Sequence, residues 1–103
     1  MKSKQKIYMD FKRAREAADR LDGVANDLVR TADAEMQAVM DNLSGVWKCT
    51  ASNTFRSKEE QMKNNMKQSA ATLKNLADKI RNDAYRIYQA EMRAYELASR
   101  EHN

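Results

Sequence analysis

Cysteine-based nucleophilic catalysis needs a histidine within hydrogen-bond reach to take up the thiol proton. This chain holds one residue of each kind, Cys49 and His102. Cys49 lies near the middle of the 103 residues and His102 near the end, so a chain that doubles back at its centre sends the two to opposite ends of the fold. The adjacent acids Glu59 and Glu60 diverge by about 100° on a helix and read as a solvated surface rather than an acid–base couple. Two glycines, Gly23 and Gly45, form no phosphate-cradling loop, and no Cys/His/acid cluster has metal-ligand spacing. An enzyme is not expected, nor a metal or cofactor. Cys49 itself reads as a small turn residue, with an intermolecular disulfide or a reactive thiol as the alternatives.

The elements that carry these residues are two long helices. With no Pro and only two Gly, nothing resembles a linker, and the chain is one domain at most. In the first half, Ile7, Phe11, Ala14, Ala18, Leu21, Ala25, Leu28, Ala32, Met36, Val39 and Leu43 follow steps of three and four, with one extra four. That spacing predicts a single apolar stripe on a helix. Asp10 is a candidate N-cap with Met9 as staple, so helix one is placed at 10–43 behind a basic arm, 1–9, that frays. Ser44-Gly45 is the stop signal, and the turn spans 44–49 around Trp47. Helix two is placed at 50–100, opening on Thr50-Ala51-Ser52-Asn53. Its stripe is Phe55, Met62, Met66, Ala70, Leu73, Leu76, Ile80, Ala84, Ile87, Ala94 and Ala98. At 1.5 Å per residue such helices make a rod on the order of 50–75 Å long. The fold class is all-α, an antiparallel two-helix hairpin.

Charge supports the pairing independently. Residues 1–15 carry a net +5, residues 16–47 a net −5, residues 48–81 a net +5 and residues 82–103 a net −1. Folding at Trp47 sets acidic against basic along both halves. The overall excess of +4 is thereby answered inside the fold, which argues against nucleic-acid binding; only the basic arm could support it. No apolar run is long enough for a membrane span or a secretory signal, so synthesis in the cytoplasm is expected, with any export by another route.

A hairpin of this size has a thin core, because 15 of its apolar residues are Ala. A lone copy is therefore marginal, and self-association or a partner is the natural remedy. Trp47 either plugs the turn end or projects into a neighbour. Met36, Met40, Met62 and Met66 meet near that end, as plain core or as an adaptable docking surface. Gly23 is a tolerated helical glycine or a point of close approach for another helix. Tyr85, Tyr88, Met92 and Tyr95 form a second stripe, wider than one partner helix can cover, and read as an interface.

A long charged helix, a Trp turn, Trp47-Lys48-Cys49-Thr50-Ala51-Ser52-Asn53-Thr54-Phe55, a second helix with Leu73, Leu76 and Ile80, and the tail Ile87-Tyr88-Gln89-Ala90-Glu91-Met92 together resemble the WXG family of small helical proteins of type VII secretion. The match covers about residues 10–99. Two positions depart from the family pattern: Cys49 stands where it has glycine, and Tyr88 stands one residue after the position expected for tyrosine ahead of Glu91 in the export signal. The resemblance implies a four-helix bundle, formed as a homodimer or with a related hairpin or the helical N-terminal domain of an LXG-type toxin. It implies export without a cleavable signal, with Tyr88 and Glu91 presented to the secretion ATPase, and the off-step tyrosine suits export on a partner. The residues without the resemblance leave a cytoplasmic coiled-coil module as the rival.

Overall fold

The computed structural model describes residues 2–46 and 50–101, with side-chain positions over 2–42 and 54–101. Trp47 and Cys49 lie outside the described residues. The chain forms helix α1 (Lys4–Arg30), one π-helical turn (Thr31–Glu35), helix α2 (Met36–Val46) and helix α3 (Thr50–Glu101). The first three are continuous and make one arm; α3 makes the other, packed against it as an antiparallel hairpin. The all-helical fold class expected from the spacing is the one observed. Two compact units divide the hairpin: Met1–Leu21 with Asn75–Asn103, and Asp22–Lys74.

The first helix begins six residues earlier than the Asp10 cap would place it. Ser3 Oγ accepts the backbone N–H of Lys6 at 3.1 Å, and Ser3 O accepts that of Ile7 at 3.0 Å. Ser3 therefore satisfies donors that a helix start leaves orphaned, and residues 4–9 are helical. Asp10 instead binds lysine ammonium groups through its carboxylate.

The π turn accounts for the extra step of four. The N–H of Met36 bonds to the carbonyl of Thr31, five residues back, which accommodates one more residue than a regular α turn. Leu28, Ala32, Met36 and Met40 then follow one another at steps of four along the packed side. The stripe expected from spacing has to be corrected at this point. Val39 is 58 % exposed while Met40 is 7 % exposed, because the inserted residue rotates everything beyond it by about 100°.

The core is built of alanine. In the first unit Ala18, Ala77 and Ala84 are buried together with Ile7; in the second, Ala25, Ala32, Ala70 and Met40. On each arm the alanines recur every seven residues, at 18, 25 and 32 and at 70, 77 and 84. A Cβ-only residue at each heptad seam lets two backbones approach closely and pushes larger side chains to the rim. Leu21 and Ile80 in the first unit, and Leu28 and Leu73 in the second, are accordingly only half-buried. The same geometry corrects the second stripe. Ala77 faces inward with no exposed surface and Leu76 is 45 % exposed; Ile87 is exposed and Tyr88 half-buried.

The charge pattern pairs as expected. In the first unit Asp19 Oδ1 meets Arg81 at 2.7 Å and Lys2 meets Glu91 at 3.0 Å; in the second, Asp33 meets Lys67 at 2.5 Å. Exposed pairs of this kind contribute little stability each. Their consequence is alignment, since a slip of one turn would part Lys2 from Glu91 and Asp19 from Arg81.

Candidate partner interface

Near the turn end, the second unit carries an open groove walled by Met36, Val39 and Met40 from the first arm and Phe55 and Met62 from α3, with Thr31 and Glu35 of the π turn at its edge. Val39, Phe55 and Met62 are exposed, Met36 is half-buried, and Met40 lies inside. Val24 is exposed as well. The π turn builds this groove, because it is what turns Val39 outward. Of the methionines singled out in the sequence, Met36, Met40 and Met62 meet here; Met66 is half-buried on the packed side of α3.

Beside the groove lies a polar layer that sequence reasoning missed. Glu59 and Lys63 occupy the seam positions below Met66 and Ala70, with side chains only 11 % and 14 % exposed, and meet at 3.3 Å. The Lys63 ammonium also donates to Gln37 Oε1, and Gln37 Nε2 donates to Asp41 at 2.9 Å. The signal was available: counting back from Ala70 in the same four-three rhythm lands on Met66, Lys63 and Glu59. Only the assumption that a seam is apolar concealed it.

In the first unit, α1 and the end of α3 converge on an aromatic and ionic cluster. The Phe11 ring stacks on Tyr88 at 4.8 Å and meets Tyr85 at 6.4 Å, with the Arg15 guanidinium 5.6 Å from the Phe11 centroid. Tyr85 is exposed, whereas Tyr88, Met92 and Tyr95 are half-buried. Lys4, Gln5, Tyr8, Met9, Tyr88 and Met92 line a shallow groove on the same unit. Glu91 sits between Tyr88 and Tyr95 and bonds Lys2, which also reaches Asp10 Oδ2 at 2.9 Å. The hydrogen bonds from Lys6 and then Lys2 hold the Asp10 carboxyl below the usual carboxylate range. Those to Asp10 and then Glu91 hold the Lys2 ammonium above its ordinary value. The structure thus brings Tyr85, Tyr88 and Glu91 together with Phe11, a residue the sequence placed only in the core stripe.

Among the described residues no Cys/His/acid group could hold a metal ion, and no helix is long and apolar enough to cross a membrane. What the site can do chemically is bury apolar rims against other helices. The family described as WXG100, proteins of 100 residues with WXG, matches residues 6–92. The chain belongs to the WXG100 family. No curated protein and no solved structure matches it. WXG100 proteins are small secreted helical proteins associated with type VII secretion, are not an enzyme family, and generally form hairpin dimers.

Proposed function

We propose that the chain is a small protein of a type VII secretion system that pairs with a second hairpin, its own copy or the helical domain of a larger exported effector such as an LXG-type toxin, and leaves the cell as that pair. The observation that carries this is the alanine core with its displaced rim. Burying a large apolar side chain fully is worth roughly 1.5–3 kcal/mol, and among the described residues no large side chain is fully buried. Val24, Val39, Phe55 and Met62 in the second unit, and Leu76 and Ile87 in the first, are exposed to water. A partner's helices recover that burial, so pairing and stability are one process. Tyr88 and Glu91 are the residues the secretion ATPase reads.

The test is mass and export together. The chain, purified alone and after co-expression with the products of adjacent reading frames, is weighed by native mass spectrometry across a concentration series. A dimer or a defined complex is expected, and Phe55→Asp with Met62→Asp should return single copies that keep their helical circular dichroism. Culture supernatants should contain the chain, and less of it after Glu91→Gln. A single copy that melts high at every concentration and never leaves the cell would mark the protein as a cytoplasmic coiled-coil module instead.

A further inference from the structure

Residues 2–11 close over the very side chains assigned to export. Glu91 Oε2 has no exposed surface and lies 3.0 Å from Lys2 Nζ, which also donates to Glu91 Oε1 at 3.1 Å. The whole Glu91 side chain is only 25 % exposed. One face of the Tyr88 ring is occupied by Phe11 at 4.8 Å. A receptor that reads a tyrosine hydroxyphenyl and a carboxylate on one helix face would meet, in this arrangement, a carboxylate already bound and a ring already stacked.

The clasp has a hinge point in its chemistry. Lys2 holds Asp10 and Glu91 to a single ammonium, at 2.9 and 3.0 Å; without that cation the two carboxylates oppose each other, only Asp10 being answered further, by Lys6 at 2.8 Å. Like charges brought this close repel. Lys2 itself precedes the helix and is about half exposed, so its bond can open without unfolding α1. Freeing Glu91 needs only that Lys2 lift away; uncovering Tyr88 needs in addition that the start of α1, which carries Phe11, part from α3.

We infer that residues 2–11 form an autoinhibitory clasp on Tyr88 and Glu91, with Lys2 as its latch, and that the export pair becomes readable when the latch opens. This rests on the secretion reading above. The clasp also explains how an export signal can stay silent on an unpaired hairpin: whatever draws Lys2 away, such as an acidic residue of a bound partner, exposes the pair.

The experiment uses the full chain as wild type, Lys2→Glu, Lys2→Arg, Glu91→Gln, and Lys2→Glu combined with Glu91→Gln. Two readouts are taken, the ring-current-shifted resonances of Tyr88 and the amount of chain in culture supernatants. Lys2→Glu should move the Tyr88 signals toward unstacked values and raise export several-fold. Lys2→Arg should resemble wild type, and the double variant should lose the gain. The clasp is refuted if Lys2→Glu leaves Tyr88 stacked. It is equally refuted if Tyr88 unstacks while export stays level or falls and Glu91→Gln alone abolishes export, since the pair would then be read in the closed form; the secretion reading survives both results. No export from any variant, wild type included, removes the secretion reading and the clasp's purpose with it.

Discussion

Neighbouring alanines in α1 give the sharpest measure of the packing argument. Ala18 has no exposed surface and Ala17, one residue earlier, is exposed. Leucine and alanine differ little in helix propensity, so Ala17→Leu and Ala18→Leu ask the same of the local helix. They differ in what the added isobutyl group meets. At position 18 it enters a seam whose other members in that unit are Ala77 and Ala84, where three extra carbons have no space unless the arms move apart. Overpacking of this kind costs about 1–3 kcal/mol. For a domain of this size each kcal/mol shifts the melting temperature by about 4–8 °C, so Ala18→Leu should lower it by about 8–16 °C if the cost is near 2 kcal/mol. Ala17→Leu should stay within about ±0.5 kcal/mol of wild type, the usual range for a surface change. Thermal melts by circular dichroism, repeated at several protein concentrations to hold any pairing constant, decide the matter. Equal melting temperatures, or a larger loss at position 17, would refute the alanine seam and the displaced rim that depends on it.

Deleting Ala34 from the π turn should leave a regular helix that keeps Met36 and Met40 inward, with melting within a few degrees of wild type. Deleting exposed Glu16 should collapse the fold, because it rotates all preceding residues by about 100°; circular dichroism separates the two. Gly23 has open space around its missing Cβ, so Gly23→Ala should raise stability by about 1 kcal/mol, read from urea midpoints; an accompanying loss of pairing would show that another helix approaches there. Lys63→Met alone should destabilise the hairpin by leaving Glu59 without its cation, while Glu59→Leu with Lys63→Met should recover wild-type melting or exceed it, as paired removal of half-buried ions often does. The clasp should also respond to pH. Asp10, whose folded pKa is depressed, contributes stability above its ordinary titration range that is lost as pH falls through the lower folded value. Lys2, whose folded pKa is raised, contributes below its ordinary range and loses it as pH rises through the higher folded value. Tyr88 resonances should therefore hold steady through neutral pH and, on the acid side, shift only below about pH 4.

Helical class, hairpin topology and the pairing of acidic with basic halves were legible because each rests on a period or a sum that the residues carry themselves. Apolar steps of three and four can only be a helix face, and opposite net charges along the two halves favour one alignment. The extra step of four before Met36 was visible in the spacing, but only the structure shows that a π turn produces it. Which side of each stripe faces inward was a tertiary decision. Leu76 and Ala77, or Ile87 and Tyr88, fit a three-four rhythm equally well, and close approach of two backbones chose the small alanine for the seam and left leucine and isoleucine outside. The Glu59 and Lys63 layer escaped for the same reason, since charge argues for water until a partner ion and a facing amide are in place. The union of Lys2, Asp10 and Glu91 depends on a contact across 89 residues of chain, and no local period encodes a meeting at that distance.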